Sequence, residues 1–132
     1  MVRTPKASLA WATKDLKINL ATPVLVGQFL YSQGVSPNYT CADALTGELK
    51  WSQPGFGGGK EAYCSTIVSG KNLLVLTYDG QLLLPVADPS KYTELGRLQV
   101  CGKTWSFPAF VDGKLFVRDG RQLLCVELAG GK

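Results

Sequence analysis

Side chains able to do chemistry are few in this chain of 132 residues, and their spacing limits what they can do. There is no histidine, so the commonest general base near neutral pH and the commonest transition-metal ligand are both missing. A Ser-His or Cys-His nucleophile pair is therefore impossible within one chain. The four cysteines, Cys41, Cys64, Cys101 and Cys125, form no CxxC pair and no zinc spacing. Cys41 and Cys125 each stand two residues before an acidic residue, Asp43 and Glu127, at the end of an apolar run. They are expected to be buried free thiols at equivalent strand positions. A disulfide between Cys64 and Cys101 stays open as an alternative. Asp43, Asp79, Asp88, Asp112 and Asp119 all fall where turns are expected, and there a side-chain oxygen accepts local backbone N–H groups. No Glu-Asn-Asp cluster stands out as a calcium site. The expectation is no catalytic residue, no cofactor-binding residue, no metal ligand and no enzyme activity.

Aromatic and basic residues are the candidates for binding rather than for chemistry. Trp11, Trp51 and Trp105 could stack on a ligand, but their place beside strands favours packing between structural units. The glycine-rich stretch from Pro54 to Lys60 does not read as a phosphate loop, because no Gly-Lys-Ser/Thr follows. It reads as a long connection, with Phe56 and Lys60 as a candidate binding loop for a protein or small-molecule ligand. The net charge of +4 comes from scattered lysines without aromatic interleaving, so solubility explains it and no nucleic-acid groove is expected. No run approaches a membrane span. The first ten residues lack the apolar core of a signal peptide, and the opening Met-Val-Arg-Thr-Pro-Lys reads as an expression start or a truncation point.

The elements that must position these residues follow from composition and period. With 45% apolar and 18% charged residues the sequence is globular, and its 15 glycines and 7 prolines punctuate short apolar runs. Three segments align: Thr22 to Tyr31, Ser65 to Val75 and Phe107 to Val117. Their turn glycines, Gly27, Gly70 and Gly113, stand 43 residues apart in both intervals. A period in the low forties with short strands signals propeller blades. Second turns are expected at Gly34 to Asn38, Asp79-Gly80 and Asp119-Gly120, since Asp-Gly between apolar runs is a strong hairpin signal. Third strands follow at Tyr39 to Ala42, Gln81 to Ala87 and Gln122 to Leu128. Fourth strands follow at Leu49-Lys50-Trp51 and at Arg97 to Val100. The third repeat has none, whereas Leu9-Ala10-Trp11 is left over at the other end and copies Leu49-Lys50-Trp51.

The run Asp43-Ala44-Leu45-Thr46-Gly47-Glu48-Leu49-Lys50-Trp51, preceded by Ala42, resembles the A-x-D-x-x-T-G-x-x-x-W signature of pyrroloquinoline-quinone (PQQ)-like propeller blades. The resemblance implies that Asp43 and Thr46 tie down a turn, Gly47 permits its backbone and Trp51 packs between blades. The second repeat matches in Asp88 and a later Gly96, with Pro89 to Tyr92 inserted; the third keeps Glu127. The chain therefore looks like a three-blade C-terminal portion of a longer member, and relatives of that kind look periplasmic or envelope-associated. The fold class expected is all-β, with a closing strand over about 8–13 and four-stranded blades over about 21–53, 62–101 and 104–129. Three blades are too few for a ring of about four to eight. Two copies would supply six, with Leu9 and Trp11 of each completing the other's last blade. Function is then expected to be a non-catalytic binding or assembly module. The alternatives are a portion of a PQQ-dependent oxidoreductase, or a truncated half-propeller that only self-assembles.

Overall fold

The computed structural model describes residues 6–14, 16, 21–33, 38–56 and 63–128. Among these the chain is all-β, with no helix, in three antiparallel sheets. Blade 1 runs in the order β1 (Val24–Val26), β2 (Phe29–Gln33), β3 (Tyr39–Asp43) and β4 (Leu49–Gln53). Blade 2 repeats it with β5 (Cys64–Ser69), β6 (Asn72–Thr77), β7 (Gln81–Pro85) and β8 (Glu94–Gln99). Blade 3 has three strands among the described residues, β9 (Ala109–Val111), β10 (Lys114–Arg118) and β11 (Leu123–Glu127). Residues 8–13, where a closing strand was expected, form no strand with the other described residues.

The hairpin chemistry is local and explains the turns. Val26 pairs with Phe29 and Ser69 with Asn72, so the first two blades open on the two-residue turns Gly27-Gln28 and Gly70-Lys71. Each glycine has φ +61°, which the first position of a type II′ turn requires. In blade 3, Val111 pairs with Lys114 and the turn is Asp112-Gly113, with φ 51° and 75°. Positive φ at both positions is the type I′ solution, which Asp-Gly suits. The glycine has therefore moved from the first turn position to the second. The regular glycine spacing hides a turn that comes one residue early.

Pleating then sorts residues between blades. The row Val24, Tyr31, Cys41 and Trp51 lies across blade 1 on one face. That face meets Leu73, Val75 and Leu83 of blade 2 in the first core, which includes buried Tyr31, Tyr39, Cys41, Phe56 and Cys64. The opposite face of blade 2 gives Leu74, Leu76 and Leu82 to a second core with Leu115 and Val117 of blade 3. The near-continuous Leu-Leu-Val-Leu run of β6 follows from this position, because a central blade is covered on both faces.

Several element bounds differ from the sequence reading. β7 ends at Pro85, where the register shifts, and Val86 makes only an isolated bridge to Asn72. Proline supplies no ladder donor, so the strand stops there. β8 begins at Glu94, ahead of the expected Arg97, because Tyr92, Glu94 and Arg97 lock together: Arg97 donates to both Glu94 oxygens at 2.8 Å. All four cysteines are free thiols, so there is no Cys64–Cys101 disulfide. Cys41 and Cys125 do hold matching ladder positions, opposite Tyr31 and Phe116, but Cys41 is buried and Cys125 is exposed.

Candidate functional site

The most developed sites in the described residues are joints between blades. In blade 1 the turn after β3 is built by its own side chains. The Asp43 carboxylate accepts the Leu45 N–H at 2.8 Å, the Thr46 hydroxyl accepts the Glu48 N–H at 3.2 Å, and Gly47 has φ +79°. Trp11 lies on this turn. Its indole N–H donates to the Ala44 carbonyl at 2.9 Å, and a Cβ on Gly47 would come within 2.5 Å of its ring. Gly47 thus does two jobs, left-handed backbone and flat seat for an aromatic ring.

Trp51 repeats the joint one blade on. Its indole N–H donates to the Asp88 carbonyl at 2.8 Å, in the turn after β7, and its ring lies between Tyr31 and Tyr92 at 6.1 and 5.4 Å. The Asp88 carboxylate holds that turn by accepting the Ser90 N–H at 2.8 Å. By register Val86 pairs with Asn72 as Asp43 pairs with Phe29, so Asp88 stands two residues past the Asp43 position. Tyr92 meets Trp51 edge-on where Gly47 lets Trp11 lie flat. Gly96, matched to Gly47 on sequence, lies inside β8 instead. The residue at the Asp43 position of blade 3 is Glu127, paired with Lys114 as Asp43 is with Phe29.

The joint between blades 2 and 3 uses backbone. Gly80, with φ +84°, accepts from the Val100 N–H at 2.9 Å, and Thr104 N–H donates to the Tyr78 carbonyl at 2.9 Å. The connection is then tied to the last hairpin, because the Gly102 N–H donates to the Asp119 carboxylate at 2.8 Å. Asp119 also accepts the Arg121 and Gln122 N–H groups, and these bonds, with Gly102's foremost, hold its carboxyl below the usual range. The same connection displays Trp105 and Phe107, both exposed, with Trp105 tilted 5.5 Å from Tyr78 and Lys103 over the Tyr78 ring. This aromatic cluster was not legible in the sequence, where Trp105 read as packing.

The expected binding loop fares differently. Phe56 is fully buried, stacked 4.8 Å from Tyr39 and edge-on to Tyr92 at 5.6 Å, so it is a core residue and cannot meet a ligand. Lys60 lies outside the described residues. Among the described residues no three His, Cys, Asp or Glu side chains gather as a metal site, and no helix is long and apolar enough to cross a membrane.

The thiols of the first core are not nucleophiles. Burial pushes Cys41 up to about 11 and Cys64 up to about 12, and it also raises the Tyr31, Tyr39 and Tyr92 hydroxyls. A raised pKa stabilises the fold below the unfolded thiol's value of about 8.5 and loses that contribution as pH climbs toward the folded value. Denaturant stability should hold level from pH 6 to 8 and fall steeply between about pH 9 and 11. The contribution lost is on the order of a few kcal/mol for the two thiols together. A profile still level at pH 11 would contradict these burials.

No family model matches the chain, and no curated protein matches it. Solved structures do. BamB from Moraxella catarrhalis superposes with a TM-score of 0.68 at 16% identity, over 86% of this chain and 34% of that one. A europium-containing methanol dehydrogenase superposes with a TM-score of 0.68 at 18% identity, over 94% of this chain and 26% of that one. The chain thus spans about a third of the first protein's length and about a quarter of the second's. Both are β-propellers, and at these identities the likeness shows the fold: the three sheets are consecutive blades of a β-propeller.

Proposed function

We propose that the chain works as a non-catalytic β-propeller module for binding and assembly. The observation that carries this reading is where its reactive and aromatic groups are engaged. Asp43, Asp88 and Asp119 each accept turn amides, Trp11 and Trp51 are seated in joints, and Cys41 and Cys64 are buried away from solvent. Exposed Lys103, Trp105 and Phe107, on the connection from blade 2 to blade 3, with half-buried Tyr78 of the β6–β7 turn beside Lys103 and Trp105, are the surface offered to a protein or small-molecule ligand. Aromatic faces beside a cation suit contacts of this kind.

A second reading, a portion of a quinoprotein oxidoreductase, takes its support from the fold shared with the methanol dehydrogenase. Among the described residues the turn aspartates sit in different blades and do not converge on a set that would hold a quinone with calcium. One experiment separates the readings. Purified protein is assayed on alcohols and aldoses with added PQQ and calcium, while the quinone's absorbance is followed in a titration. The binding-module reading predicts no turnover above the protein-free control and no spectral change at micromolar quinone. Turnover that scales with protein would overturn it.

A further inference from the structure

The joints of blade 1 and the open side of blade 3 are complementary, and we infer that a second copy of this chain fills the gap. Trp11 is seated on blade 1 as Trp51 is seated on blade 2, with the same indole N–H to carbonyl bond. Trp51 reaches its seat from the fourth strand of the blade before. Trp11 therefore sits where the fourth strand of a blade preceding blade 1 belongs. Residues 6–10 leading to it are exposed, with Leu9 at 83%, and they pair with no strand among the described residues.

Blade 3 shows the other half. Across blade 1 the ladder reads Val24, Tyr31, Cys41, Trp51; across blade 3 it reads Ala109, Phe116, Cys125, with no fourth strand among the described residues. The blade 1 row is buried against the next blade, whereas Cys125 is exposed, as are Val111 at 53% and Leu123 at 73%. Placing residues 8–13 of a second copy beside β11 puts its Trp11 opposite Cys125, where Trp51 stands opposite Cys41. The same placement brings the copy's blade 1 against the Ala109, Phe116 and Cys125 row. That face of blade 1 also carries an exposed apolar side chain, Leu25, on the side turned away from blade 2. Each contact repeats an interface already present within the chain. Two copies of the three described blades make six, within the usual range of about four to eight, while three copies make nine. The inference rests on the propeller fold and not on the absence of catalysis.

The test combines mass with one thiol. Light scattering at tens of micromolar should give twice the 14.2 kDa chain mass. Maleimide labelling followed by mass mapping should find Cys125 slowed at least about tenfold relative to dilute, dissociated protein, since central interface positions exclude water. Trp11→Ala should weaken the dimer by about 30-fold or more. Cys125→Arg alters a residue exposed in the single chain, so it should leave the unfolding transition of the monomer intact and still abolish the dimer. A monomer mass overturns the inference, whatever other protein or further blades then cover the face. A mass of three or more chains, or a dimer in which Cys125 labels at its dilute rate, overturns it equally.

Discussion

Trp51→Ala is expected to cost about 3 kcal/mol of folding stability, within the range for removing a large aromatic from a core. The indole touches both blades: Tyr31 on its own, Tyr92 and the Asp88 carbonyl on the next. Truncation opens a cavity along the first core and leaves that carbonyl without its donor. Trp51→Phe keeps most of the ring contact and loses the N–H, so it should cost about 1–2 kcal/mol. Urea unfolding followed by circular dichroism reads both. A Trp51→Ala protein within about 0.5 kcal/mol of the parent, as for an ordinary surface substitution, would mean that the joint does not hold the blades together.

Gly80→Ala is expected to be as damaging, for a reason that backbone alone supplies. A Cβ at this position would stand 2.1 Å from the Cys101 carbonyl oxygen and 2.6 Å from that of Gly102, with φ at +84°. Neither oxygen can withdraw easily, since the connection is pinned by the Val100 and Thr104 N–H bonds and by Asp119. Left-handed strain of about 1–2 kcal/mol and overpacking of about 1–3 kcal/mol should together remove about 3–4 kcal/mol. Gly27→Ala is the matched control. Its φ is +61° but nothing lies within 4 Å of the added carbon, so only the strain of about 1–2 kcal/mol should appear. Equal losses at the two sites would show that the blade 2 to blade 3 connection yields freely.

Much of the fold was written in local patterns. Gly27, Gly70 and the Asp-Gly pairs announce two-residue turns because positive φ is a property of single residues, and alternation in the short runs announces strands. The blade 1 turn was legible for the same reason, since Asp43, Thr46, Gly47 and Trp51 act within one stretch of nine residues. What sequence could not show is what meets what over distance. Gly80 needs to be glycine because Cys101 comes back over it, and Asp119 ties a connection 17 residues upstream as well as its own turn. Phe56, in a glycine-rich stretch, looks like a loop residue until Tyr39 and Tyr92 close around it. Cys125 matches Cys41 in register, yet it is exposed where Cys41 is buried, because blade 2 covers that face of blade 1.

Amide hydrogen exchange in β11 tests most directly the claim that a second copy completes the third blade. In β3 every strand amide lies between two neighbours, β2 and β4. In β11 of a lone chain, the alternate amides of Leu123–Glu127 that point away from β10 face water. Measured at tens of micromolar, those amides should be protected to within about tenfold of their β3 counterparts, and should lose that protection on dilution or in Trp11→Ala. Exchange at the rate of an open edge strand, unchanged by concentration, would contradict the account.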